Sequence, residues 1–288
     1  METPHRFELL RINTQKAAAY FDYSQCSRAP NSGRWKINEK VNNKVKGKLS
    51  NKSIKSVNEI INNWISTIDV LCSINNNRKP VYSKYLTFVT LTLSYTQFHS
   101  DEFIRRYMLN DFLRTIKAKF DVKNYLYVSE AQDNGNIHFH IIIDKRIHYL
   151  EIRKIWNRIQ KTHNYIHLFQ LKHGHVNPNS TDIHGFRKIK RIAAYLVKYC
   201  TKTQDRRAIT GRLWGSSENL KKLEAYRTEI DYDVGFVLNS LVTDVPAFVK
   251  KGEYFTMFNS LSLSYIKEKC LPLYAEICNH YSCYSNLL

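Results

Sequence analysis

The chain has 288 residues, 43% of them apolar, which is enough for a sizeable core and excludes a disordered polymer. Its formal charge of +19 and pI of about 9.6 point to a polyanionic partner, nucleic acid ahead of an anionic membrane. No run approaches the ~18 apolar residues of a spanning helix, METPHRFELLR is no signal peptide, and six cysteines without CxxC suit a reducing compartment. The expectation is a soluble protein.

From Arg28 to Lys55 there are nine Lys or Arg and one acid, Glu39. Residues 1 to about 50 read as a basic, partly irregular arm. Ile54, Val57, Ile60, Ile61, Trp64, Ile65, Ile68 and Leu71 then fall at helical spacing. Asn75 to Pro80 breaks that helix. YLTFVTLTLS (Tyr85 to Ser94) reads as a half-polar strand. Ser100 caps the next helix, with Asp101 and Glu102 in its first turn. Its buried face is Ile104, Met108, Phe112, Leu113, Ile116 and Phe120.

Strands over 124–130 and 136–144 follow, separated by Asp133-Asn134-Gly135. Alternate side chains of a strand share a face. His138, His140, Ile142 and Asp144 therefore point one way, and the apolar Ile137, Phe139, Ile141 and Ile143 the other. Two imidazoles about 7 Å apart on one face converge on a divalent ion if a third ligand stands beside them. A two-residue Asn134-Gly135 turn would set Glu130 opposite Phe139. A three-residue loop with Gly135 left-handed sets it opposite His138. The second geometry is expected, so Glu130, His138 and His140 form one site. That ligand set suits Mn²⁺ or Mg²⁺ and would accept Zn²⁺. An isolated HxH more often hydrogen-bonds within a fold; the phased glutamate and the basic context favour the ligand reading. The histidine-triad hydrolases need a third alternating His where Ile142 stands.

A helix is expected over about Leu150 to Thr162, then a long loop rich in His, Asn and Gly. That loop holds a second pair, His173 and His175, read as a plain loop pair, and His163 and His167, read as a frayed helix end. A further helix runs from about Phe186 to Thr203. On it Lys188, Arg191, Tyr195, Lys198, Tyr199 and Lys202 form one face, opposite Ile189, Ile192, Ala193, Leu196 and Cys200. From Arg187 to Arg212 there are nine Lys or Arg and one acid, Asp205. A phenolate at neutral pH costs about 4 kcal/mol, and neighbouring cations reduce that. Tyrosine attack on a phosphodiester would conserve the bond for later rejoining. The competing reading is amphipathic packing by two of 19 tyrosines. Residues 229–288 carry seven acids and four Lys or Arg and read as a helical accessory region. The sequence contains no GxxxxGK[ST].

HFH (His138 to His140) and YLVKYCTK (Tyr195 to Lys202) together resemble the HUH endonucleases, and FVTLTLS (Phe88 to Ser94) looks like their first motif. The paired tyrosines are similar to those of rolling-circle replication initiators of small single-stranded DNA phages; SEAQDNGNIHFH and GRLWGSSENL look like replication proteins of phages and small plasmids. The resemblance implies an α+β fold: a central antiparallel sheet of HUH or RRM-like type with flanking helices. The resemblance covers roughly residues 84–220, and with the composition of the flanks the chain is expected to divide into a basic arm and helix over 1–80, an endonuclease domain over 81–220 and the accessory region over 221–288. It implies a metal-dependent nickase and strand transferase that cuts single-stranded DNA or a hairpin origin through a 5′-phosphotyrosine. Tyr195 becomes the first nucleophile, Tyr199 the second, and Lys198 a neighbour of the scissile phosphate. Glu130 becomes the third metal ligand, with Gln132 in reserve. Lys188, Arg191, Lys202, Arg206, Arg207 and Arg212 would hold the DNA backbone, and Tyr165, Phe169 and Trp214 would stack on unpaired bases. A host helicase and polymerase, and a bacterial cytoplasm, complete the expectation. A relaxase or single-strand transposase would share the chemistry, and a non-catalytic origin-binding protein is the rival of a different class.

Overall fold

The computed structural model describes residues 7–13, 16–22, 49–74, 80–82, 85–185, 207–251, 255–258 and 263–287. They divide into two compact units: one draws on residues 43–61 and 84–222, the other on 1–42, 62–83 and 223–287.

In the second of these, β1 (Phe7–Asn13) pairs antiparallel with β2 (Lys16–Asp22) and with the strand Tyr226–Glu229. Strands Phe255–Phe258 and Val249–Lys251 extend that sheet beyond β2. The arm expected to be partly irregular therefore holds two strands. The two pair with each other as a tight hairpin, and the strands that flank this hairpin on either side lie more than 200 residues further along the chain. Ile12, Val234, Val237, Leu241, Ile266, Leu273 and Ile277 form the core of this unit, and the Tyr281 hydroxyl donates to the Ile12 carbonyl at 3.0 Å. The region read as a helical accessory segment holds the helices Tyr232–Asp244, Leu263–Lys269 and Leu271–Ser282 together with the three strands just named. Helix α1 (Asn51–Val70) begins where Ser50 Oγ accepts the Ser53 N–H at 3.1 Å. It buries Val57, Ile61, Trp64 and Ile68, as its spacing predicts. A short pair, β3 (Cys72–Ile74) and β4 (Pro80–Tyr82), follows it.

The unit holding the histidines is an α+β fold around an antiparallel five-stranded sheet. Its strands are β5 (Thr87–Leu91), β6 (Tyr125–Ala131), β7 (Ile137–Ile143), β8 (Thr181–Gly185) and β9 (Trp214–Ser216), in the order β8-β5-β7-β6-β9. Between β5 and β6, α2 (Asp101–Phe103) passes through a π-helical stretch, Ile104–Leu109, into α3 (Asn110–Phe120). Ser100 Oγ accepts the Phe103 N–H at 3.2 Å, the expected cap. α4 (Tyr149–Thr162) and α5 (Tyr165–His173) lie between β7 and β8. Ile104, Met108, Phe112 and Ile116 from the first helical run, with Ile152, Ile155 and Trp156 from α4, pack on one sheet face. That face presents Val89, Leu91, Tyr127, Phe139, Ile141 and Ile143. The expected loop after α4 is partly helical: α5 follows a left-handed Asn164 (φ 65°) that turns the chain.

Candidate metal centre

The centre is built by one hairpin. β6 and β7 pair so that Glu130 lies opposite His138 and Val128 opposite His140. The loop between them is the three-residue form: Gln132 N–H donates to Asn136 O at 2.8 Å, and Gly135 sits at φ +83°. A side chain at Gly135 would meet nothing within 4 Å, so only its backbone conformation calls for glycine. The alternation of β7 sends Ile137, Phe139, Ile141 and Ile143 into the helix-covered core. His138 and His140 point to the other face, and there they meet Glu130.

Both imidazoles place Nε2 at 2.9 Å from the same carboxylate oxygen, Glu130 Oε2. The three ligand atoms lie within 4.8 Å of one another. Glu130 is 1% exposed, His138 9% and His140 3%. Thr90, opposite His140 in the β5–β7 pairing, brings Oγ1 to 3.3 Å from His140 Nδ1. Phe88 stacks on the same ring, centroids 5.4 Å apart. His138 Nδ1 is buried and has no hydrogen-bond partner among the described residues.

Burial pushes the Glu130 carboxyl up, but the hydrogen bonds and charge of the two histidines outweigh it and bring its pKa down to about 2. Burial pushes His140 down from its ordinary value, and the hydrogen bond to Glu130 only partly opposes that. A carboxylate beside a neutral imidazole is the protonation pattern that metal ligation requires. The donor set is two nitrogens and one oxygen, convergent, buried and anchored on paired strands, and it fits a divalent cation. With Nε2 of His140 given to a cation, Nδ1 carries the proton and donates to Thr90 Oγ1, which fixes the ring. Among the described residues no other group of three His, Cys, Asp or Glu converges in this way. Asp144, on the same strand face by parity, instead accepts from the backbone N–H of Asn124 at 2.8 Å.

Of the other residues singled out in the sequence, Tyr195, Tyr199, Lys198, Lys188, Arg191, Lys202 and Arg206 lie outside the described residues. Gln132 stands at the end of β6, its N–H engaged by the loop. Arg212 is exposed. Arg207 makes a bidentate pair with Asp101, Nη1 at 2.7 Å and Nη2 at 2.6 Å, and also bonds the Gly135 carbonyl. Tyr165, expected to stack on bases, is fully buried and its hydroxyl lies 3.3 Å from His99 Nδ1; its ring is a core residue, which corrects that expectation. Phe169 and Trp214 are half-buried, and Phe169 packs between His173 and His175. Sequence reading missed Thr90 and Phe88 as supports of His140. The signal was their alternation in FVTLTLS, which puts both on the histidine face once β5 pairs with β7.

The fold and the site define an α+β protein with a buried Glu-His-His centre at the middle of an antiparallel sheet. Residues 86–204 match the family described as replication-associated protein ORF2. The match spans β5, the Glu130-His138-His140 group and Tyr195 to Lys202, and it supports a replication-initiator family. No curated protein and no solved structure matches the chain. No helix among the described residues is long and apolar enough to cross a membrane.

Proposed function

We propose that this protein is a metal-dependent DNA nickase and strand transferase that initiates rolling-circle replication. The observation that carries the reading is the buried Glu130-His138-His140 cluster, lying inside the span that matches a replication-associated family. A divalent cation held by these residues, Mn²⁺ or Mg²⁺, supplies positive charge against the scissile phosphate. The phenolic oxygen of Tyr195 attacks phosphorus, losing its proton as the bond forms. The bond from phosphorus to the 3′ oxygen breaks, the 5′ phosphate stays on tyrosine, and the freed 3′ oxygen takes a proton to become the priming hydroxyl. Tyr199 repeats the attack at the regenerated origin after a round of synthesis, and the 3′-hydroxyl freed by that second cleavage displaces Tyr195 from its phosphate, rejoining the strand and returning the phenol. Lys198 stabilises charge at the phosphate. Lys188, Arg191, Lys202, Arg206 and Arg212 hold the backbone of a single-stranded or hairpin origin. Host helicase and polymerase in a bacterial cytoplasm supply unwinding and synthesis.

The test is incubation of a labelled origin oligonucleotide with Mn²⁺. The expected result is a nick in the parent chain, none with chelator and none in a Tyr195→Phe plus Tyr199→Phe variant that still binds. A parent chain that binds and never cuts would make it a non-catalytic origin-binding protein.

A further inference from the structure

Asp101 has no part in the chemistry above, yet its side chain is 3% exposed and densely bonded. Ser100 already caps the helix that Asp101 begins. The Asp101 oxygens turn elsewhere: to both Nη atoms of Arg207, to Gln97 Nε2 at 2.8 Å and to the Thr210 N–H at 3.0 Å. Gln97 carries the connection to the metal hairpin. Its Oε1 accepts from the Ile137 N–H at 2.7 Å, one residue before His138, and its own N–H donates to Asn136 Oδ1 at 2.8 Å.

Arg207 opens a segment that runs beside the strand bearing Glu130. Ile209 is buried in the core, the Leu213 carbonyl accepts the Ser129 N–H at 2.7 Å, and Trp214 pairs with Val128. In the sequence Arg207 lies eight positions beyond Tyr199.

We infer that Asp101, acting through Arg207 and Gln97, is a positioning residue that fixes where the tyrosine-bearing segment rejoins the sheet relative to the strand end holding His138. This rests on the nicking reading above. A bidentate carboxylate–guanidinium pair has one geometry, whereas an amide in the same place turns an N–H₂ toward the guanidinium donors. A displacement of about 1 Å at a reacting atom costs on the order of 100-fold in rate.

The experiment uses the full chain and its Asp101→Asn, Asp101→Glu and Arg207→Lys variants. Adduct formation with a single-stranded origin oligonucleotide gives kcat and KM, calorimetry gives the Mn²⁺ affinity, and circular dichroism gives Tm. The expected result for Asp101→Asn is a kcat fall of about 10- to 100-fold, with KM and Mn²⁺ affinity within about twofold of the parent. Asp101→Glu recovers part of that loss and Arg207→Lys shows a smaller one. A folded Asp101→Asn chain with parental kcat overturns the inference, and so does a loss of kcat matched by loss of Mn²⁺ affinity. A parent chain that forms no adduct overturns the nicking reading and the positioning role together; a normal parent with an equally fast Asp101→Asn variant overturns the positioning role alone.

Discussion

Thr90 shows how a residue with no chemistry of its own enters a candidate metal site. Its hydroxyl meets the one His140 nitrogen that does not face Glu130 and, able to donate or accept, holds that ring in its orientation. Outer partners of this kind are typically worth about 10- to 100-fold in metal affinity. Thr90→Val keeps the β-branched shape and removes the oxygen. Calorimetry should show Mn²⁺ binding weakened by about 10-fold or more with Tm changed little; an unchanged affinity would mean that His140 is oriented by packing on Phe88. The grouping of Glu130, His138 and His140 was legible in the sequence, because the parity of HFH and the position of Gly135 decided which carboxylate could face the two histidines. Thr90 and the Asp101–Arg207 pair were not, because each depends on strands and loops meeting across 50 or more residues.

At the scale of elements, the hairpin loop governs the site. Gly135 at φ +83° holds the three-residue loop that sets Glu130 against His138. Gly135→Ala places a Cβ in open space but strains the backbone by about 1–2 kcal/mol. Urea unfolding should show that loss, and a neutral outcome would mean that the loop has another accessible form. Asp101 adds a pH dependence. Burial raises its carboxyl, but hydrogen bonds from Arg207, Gln97 and Thr210 and the Arg207 charge bring it below the ordinary 3.8. A depressed carboxylate contributes stability that is complete above the unfolded value and lost as pH falls through the folded one. Tm of the parent should therefore exceed that of Asp101→Asn by a constant amount above pH 3.8, and the gap should close below it; a gap that persists in acid would contradict the charge assignment. Elements with strong periodicity, such as the helix from Asp101 to Phe120, were readable from the chain alone. α5 was not, since Ile166, Leu168, Phe169 and Leu171 fall on no single stripe and Asn164 and Gly174 bracket them with left-handed turns. β1 and β2 escaped because their sheet is completed by strands from the far end of the sequence.

For the whole molecule, the charge of +19 separates affinity from chemistry. Backbone contacts by dispersed cations supply most nucleic-acid affinity, and that affinity falls steeply with salt. Glu130→Ala removes one buried carboxylate and none of those cations. Fluorescence anisotropy should find its oligonucleotide affinity and salt slope within about twofold of the parent, while cleavage is abolished. Loss of binding along with cleavage would place the carboxylate in the fold rather than at the metal.

Mass mapping of the peptide linked to DNA, after reaction with a single-stranded origin oligonucleotide and Mn²⁺, bears on the whole mechanism at once. The expected product is an adduct on Tyr195 or Tyr199, attached through the 5′ phosphate and absent when His138 is replaced by Ala. Cleavage with no covalent protein–DNA species, or an adduct on a tyrosine outside the Tyr195–Lys202 stretch, would contradict it.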